Sequence, residues 1–150
     1  MKKRIFARSV AFLLVMLFSF SLPAPIAYAN YDIEYFTEER SSAFISSTTV
    51  AMTAQSNGVV SIRFTITGTR MMDQIGATRI QIFENGNLVR TINTTTNPGI
   101  MARNTNFHTS TLTHQGVVGR NYHAVVIVQA GVNGNWDNRT LTSPTAVARW

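Results

Sequence analysis

The sequence predicts an all-β fold, a single antiparallel β-sandwich of about seven strands preceded by a signal-peptide helix, and three observations carry that expectation. Asn121 to Ala130, NYHAVVIVQA, is the longest run in which β-branched and aromatic residues alternate with period two, placing Tyr122, Ala124, Val126, Val128 and Ala130 on one face. All nineteen threonines lie beyond residue 36, and threonine loses rotamer freedom in a helix but sits well on a pleated surface. Turn signals such as Asn57-Gly58, Asn85-Gly86 and Pro98-Gly99 recur between short apolar runs, as they do in sandwiches.

Residues 1–29 read as a processed segment. Lys2, Lys3, Arg4 and Arg8 form a positive start, Val10 to Phe20 is an apolar run, and Ala27-Tyr28-Ala29 is a small-residue cleavage site, with Ala27 and Ala29 the recognition positions. The run falls short of the roughly 20 apolar residues that a permanent membrane span needs, so the expectation is secretion with no span left after cleavage. Removing this segment changes the charge. The chain carries a formal +6, but beyond residue 29 only nine arginines face seven carboxylates. The basic balance therefore belongs mostly to the export signal and is no argument for nucleic acid. With no cysteine, disulfides, thiol nucleophiles and cysteine metal sites are excluded, and packing alone must hold the domain.

Residues 30–42 read as an arm ahead of the domain at 43–150. Tyr31, Ile33 and Tyr35 alternate with Asp32 and Glu34, and Glu38 and Glu39 follow, so the arm presents an aromatic edge and an acidic one. Phe44 to Ala54 is then a Ser/Thr-rich strand, and Val59 to Thr69 a half-buried one with Val60, Ile62, Phe64 and Ile66 inward. Arg70 to Gly76 is the one segment whose spacing suits a helical turn, with Met71, Met72 and Ile75 closing the sandwich end. Ala77 to Glu84 and Leu88 to Asn93 are strands joined by Asn85-Gly86, the pair that a type I′ hairpin favours because both residues tolerate positive φ. Thr94 to Asn104 reads as loop, Thr105 to Thr113 as strand, and Gly131 to Asn138 as a long turn. Arg139 to Ala148 closes the chain as a strand, and Pro144, which lacks an N–H, assigns it to a sheet edge.

The tyrosine-led strand, the Gly-rich turn and the proline-bearing last strand together resemble the closing hairpin of a fibronectin type III or related immunoglobulin-like module. The likeness covers Phe44 to Ala148 and implies the Greek-key sandwich of that class. It departs from the pattern where Phe64 or Ile66 must fill the volume of an absent core tryptophan, and where Gly116 stands six positions before Tyr122 in place of a leucine. Gly68 to Gly86, GTRMMDQIGATRIQIFENG, also resembles a segment of small exported Gram-positive proteins with no assigned activity, which implies secretion and nothing about chemistry.

Chemistry-bearing constellations are sparse. There is no G-x-S-x-G elbow, and outside the arm the only carboxylates are Asp73, Glu84 and Asp137, so neither a nucleophile nor a general acid–base pair is expected. A metal site would need about three imidazoles to converge, but an immunoglobulin-like topology puts the strands of His108 and His123 in opposite sheets, with His114 in the connection ahead of Asn121, and the Asn133, Asn135, Asp137 alternation lacks the glutamate of a calcium loop, so no metal or cofactor is expected. Two sets of residues remain for binding. Trp136, with Asn133, Asn135 and Asp137, would form a recognition site in the turn before the last strand, suited to a sugar ring or a protein contact. Phe83, Val125 and Ile127 would form an apolar patch on the outer face of the central strands, covered by the arm or by a partner. Both point to a non-enzymatic interaction module whose partner is an extracellular protein or a cell-wall glycan.

Overall fold

The computed structural model describes residues 36–37 and 42–150. The signal-peptide helix, the cleavage positions Ala27 and Ala29, and Tyr31, Ile33 and Tyr35 of the arm lie outside the described residues. Eight antiparallel strands follow one another: β1 (Phe36–Thr37), β2 (Ile45–Ala54), β3 (Val59–Glu84), β4 (Asn87–Asn93), β5 (Met101–Gln115), β6 (Asn121–Val132), β7 (Asn135–Thr142) and β8 (Ala146–Val147). A single 3-10 turn, Pro98–Ile100, precedes β5, and no α-helix occurs among the described residues.

The organisation turns on β3, a strand of 26 residues. Its first half pairs with β2 on one side and β5 on the other, from Val60↔Ala54 and Val59↔Gln115 up to Thr67. Its second half pairs with β6 from Gln74↔Gly131 to Glu84↔Tyr122 and with β4 up to Glu84↔Asn87, and Gln74 to Gly76 also pair with the start of β5. One layer is therefore β1-β2-β3-β5 and the other β4-β3-β6-β7, with β8 added to the start of β6. β2 also packs against β6, β7 and β8 without sharing a ladder with them, so the two layers face each other, an arrangement that fits a β-sandwich.

Alternation decides what lies between the layers. Val60, Ile62, Phe64 and Ile66 of β3's first half, Ile80 and Ile82 of its second, and Tyr122, Ala124, Val126, Val128 and Ala130 of β6 are all fully buried in one cluster. The outward positions of the first layer hold the threonines: Thr65 sits opposite Thr109, their hydroxyls 3.1 Å apart, and Thr111 and Thr113 continue the exposed row. A β-branched polar side chain suits such a position, because it keeps the strand stiff and still meets water.

Four local expectations change. Arg70 to Gly76 is strand, not a helical turn: Met72 faces Thr105 and is buried, Met71 points out, and Gln74 and Ile75 pair with Arg103 and Ala102. The ladder that wins is supplied by β5, about thirty residues away in sequence, which no local period reveals. Gly76 permits the crossover: it adopts φ +154, and a Cβ there would lie 2.7 Å from Met101 Cα and run into the Ile100 carbonyl. Thr94 to Asn104 is not all loop, since the 3-10 turn starts at Pro98, capped by Asn97 Oδ1 accepting from Gly99 N–H, and β5 starts at Met101. Gly131 to Asn138 is not a long turn. β6 continues to Val132, and Asn133 and Gly134, at φ 52 and 79, return the chain directly into β7. The last strand is broken at Pro144 into β7 and β8, both on β6. The missing proline N–H ends the ladder there, and Ser143 Oγ takes over by accepting Ala124 N–H at 2.9 Å.

Tyr122 shows why Gly116 stands where a leucine was missed. The ring passes so close that a Cβ at Gly116 would meet Tyr122 Cζ at 2.8 Å, and the phenol oxygen accepts Val117 N–H at 2.8 Å while donating to Glu84. Arg120 closes the cluster on the other Glu84 oxygen at 2.6 Å. These bonds, the Tyr122 bond first and Arg120 next, hold the Glu84 carboxyl below its ordinary value, and Ser42 and Phe44 N–H do the same for Asp137. Burial lowers His108 and His114 below the ordinary 6.5, with Arg90 adding to the effect on His114. The signs agree. A depressed histidine leaves the unfolded chain binding protons first, so stability begins to fall below about pH 6.5, and depressed carboxylates remove their share as pH drops through their folded values below the usual carboxylate range. Melting temperature against pH should therefore fall in two stages on acidification, and His114→Gln should shrink the first; a flat profile down to the carboxylate range would contradict the burial of these imidazoles.

Candidate interaction face

Directly opposed residues of an antiparallel pair point to the same side, so the register fixes which side chains share the outer face of the β4-β3-β6-β7 layer. Since Tyr122, Ala124, Val126, Val128 and Ala130 point inward, His123, Val125, Ile127, Gln129 and Gly131 point out. Their partners point out with them: Phe83 opposite His123, Gln81 and Thr142 flanking Val125, Arg79 and Thr140 flanking Ile127, Asn138 opposite Gln129, and Trp136 opposite Gly131.

The structure thus puts Trp136 and the patch Phe83, Val125 and Ile127, two separate sites in the sequence, on one face. Phe83 stacks on His123 with ring centroids 4.9 Å apart and planes 1° from parallel. Val125 and Ile127 are half-buried beside them. At the far end Trp136 is 37% exposed and lies across Gly131, where a Cβ would run into the ring, its Cδ2 being 2.8 Å away. The glycine leaves a gap that the indole covers, which fixes the ring without burying it. From His123 to Gly131 the strand spans about 27 Å at roughly 3.4 Å per residue. The face carries aromatic groups at both ends, β-branched groups between, amides and hydroxyls along its margin, and Arg79 as the charged residue.

Asn133, Asn135 and Asp137 do not join Trp136 on that face. Asn135 and Asp137 oppose Val132 and Ala130 and share their side of the sheet, and the Asp137 carboxylate accepts from Ser42 Oγ and from Phe44 N–H at 2.7 Å, anchoring the entry to β2. Asn133 lies in the turn, its N–H donating to Asp73 Oδ2 at 2.7 Å. The described part of the arm, Phe36–Thr37, pairs with Val50 and Thr49 of β2 in the opposite layer, not with Phe83, Val125 or Ile127. The three imidazoles pack against three different rings, His108 on Phe64, His114 on Tyr122 and His123 on Phe83. Sequence reasoning missed His123 and Gly131. The sequence carries a signal for Gly131: a hairpin centred on Asn133-Gly134, like the one on Asn85-Gly86, sets Trp136 opposite Gly131.

No protein-family model, curated protein or solved structure matches the chain.

Proposed function

We propose that the chain is a secreted, non-enzymatic interaction module of the fibronectin type III-like, immunoglobulin-like class, which binds an extracellular protein through the outer face of β4-β3-β6-β7. The observation that carries the site is the convergence of Trp136, Phe83, Val125 and Ile127 on one sheet face. Aromatic and aliphatic groups ringed by amides and hydroxyls match the apolar core and polar rim of a protein interface, and a tryptophan is among the residue types that anchor one. The class assignment is supported by the strand partition: counting the two halves of β3 separately, the first, second and fifth principal strands share one layer, and the third, sixth and seventh share the other with β4 added at its edge, as immunoglobulin-like sandwiches with an extra strand on that sheet do. Secretion is supported by the positive start, the apolar run and the Ala27-Tyr28-Ala29 site.

A second reading, a small module for cell-wall glycan, is favoured by the orientation of Trp136, a fixed and partly exposed ring with Gln129 and Asn138 beside it on the same face. Capture from the exterior of the source cell and co-sedimentation with insoluble cell-wall polysaccharide, run with the wild type, Ile127→Arg and Trp136→Ala, separate the two. The protein reading expects both variants to lose the captured partner by about 30-fold or more, the effect of a hot-spot loss above 2 kcal/mol, with unchanged melting temperature. Retention of the partner by both variants would remove the face from consideration. Polysaccharide binding that only Trp136→Ala abolishes would select the glycan reading.

A further inference from the structure

Three Asn-Gly steps close turns in this fold under one backbone geometry. Asn57-Gly58, Asn85-Gly86 and Asn133-Gly134 have φ pairs of 60 and 77, 47 and 84, and 52 and 79. An Asn-Gly step can convert spontaneously. The glycine nitrogen attacks the asparagine side-chain carbonyl, the new C–N bond closes a five-membered imide, and ammonia leaves with the amide proton. Water then opens either imide carbonyl to give aspartate or its isoaspartyl isomer. Glycine permits the attack because no Cβ shields its nitrogen. Asn85-Gly86 and Asn133-Gly134 are two-residue hairpin turns, closed by Glu84↔Asn87 and Val132↔Asn135, while Asn57-Gly58 lies in the longer connection between Ala54 and Val59. With the dipeptide and its φ values matched, the differences among the three steps come from what holds the reacting atoms.

At Asn57-Gly58 the nucleophile is tied down. Gly58 N–H donates to the Arg149 carbonyl at 2.8 Å, Gly58 is buried, and Asn57 O accepts from Gln115 Nε2 at 2.8 Å. At Asn85-Gly86 the electrophile is held. Asn85 Oδ1 accepts Asn121 N–H at 3.1 Å while Asn85 N–H donates to Asn121 O at 2.9 Å, so rotating the carboxamide towards Gly86 breaks a bond. At Asn133-Gly134 both residues are exposed and a Cβ on the glycine would meet nothing within 4 Å, as at Asn85-Gly86, but the only bond made by the pair outside the β6–β7 ladder, among the described residues, is from the Asn133 backbone N–H to Asp73. Its carboxamide and the Gly134 nitrogen are unencumbered.

We propose that Asn133 is the modification site of this protein, converting to aspartate and isoaspartate ahead of Asn85 and Asn57, and that conversion disarms the Trp136 end of the outer face. The second clause rests on the reading under Proposed function; the first does not. The product places a carboxylate beside Asp73, whose own carboxylate anchors the turn, and the isoaspartyl form lengthens the backbone by one methylene between β6 and β7. Repulsion at the tie between Asp73 and residue 133, or the added methylene, loosens the turn that leads into Trp136.

Peptide mapping of the full chain, aged in mildly alkaline buffer with and without urea, tests the order. In the folded protein Asn133 should convert about three- to tenfold faster than Asn85, the factor expected when one hydrogen bond must be broken on the way to the imide, and Asn57 should be slowest. In urea the three should convert at similar rates. Equal or faster conversion of Asn85 or Asn57 in the folded protein, or the same ranking in urea, overturns the assignment. The effect on the face is read separately in a Trp150→Phe background, where Trp136 is the one indole: Asn133→Asp should red-shift its emission and increase quenching by acrylamide, and unchanged emission would refute the coupling. Both readouts are independent of any ligand.

Discussion

Replacing Phe64 by alanine should lower the unfolding free energy by about 3–5 kcal/mol, the range for removing a buried aromatic side chain and leaving a cavity. Phe64 has no exposed surface and, after Tyr122, heads the fully buried side chains by volume. It sits in the middle of β3's first half, opposite Val50 on β2 and Ser110 on β5, with the His108 ring 5.8 Å from its own. Neighbouring strands on both sides are fixed by their ladders, so the site cannot close up, and the cavity persists. Urea unfolding measures the loss as a lower midpoint at an unchanged slope. Against a total of roughly 5–15 kcal/mol for a domain, the variant would be marginal at body temperature. The adjacent, outward Arg63→Ala should stay within about 0.5 kcal/mol and serves as the control. A cost for Phe64→Ala of under about 1 kcal/mol would mean that this ring does not fill the tryptophan volume assigned to it.

The second large effect is expected at Gly131. Gly131→Ala should destabilise the fold by about 3 kcal/mol, the upper end for overpacking, because the new methyl meets two obstacles. One is the Asn135 carbonyl, which is backbone and cannot yield; the other is the Trp136 ring, which can yield only by leaving its seat. Binding should fall beyond what stability explains, since the indole loses the surface it rests on. Trp136→Ala in the same background supplies the discriminating comparison: if the ring is the whole of the binding effect, the double variant binds no worse than Gly131→Ala alone. Full stability and unchanged binding in Gly131→Ala would show that the indole does not lie over this glycine.

The strand content was legible because it rests on local chemistry. Tyr122 to Ala130 alternate as written, and Asn85-Gly86 closes its hairpin with both residues at positive φ, since period two and turn propensity are properties of adjacent residues. What escaped the sequence depends on partners far along the chain. Met71, Met72 and Ile75 lie at a helical spacing, yet β5 claims Met72 and Ile75 for the ladder and leaves Met71 exposed. Gly116 looked like a departure from a family pattern until the Tyr122 ring was placed beside it. The candidate site was half legible. Residue type and alternation mark Trp136, Phe83, Val125 and Ile127 as binding residues, but their union on one face depends on the β6–β7 register, which a long turn over Gly131 to Asn138 would not give. Asp137 was chosen for its oxygen atoms, and its partners Ser42 and Phe44 lie more than ninety positions away.

That β3 belongs to both layers has a mechanical consequence. A body whose two walls share one continuous thread has no seam along which a wall can peel off alone: loosening β5 at Gln115 strains the same strand that carries β6 at Glu84. Tension entering at one wall is handed to the other through covalent bonds, so the two walls should yield together.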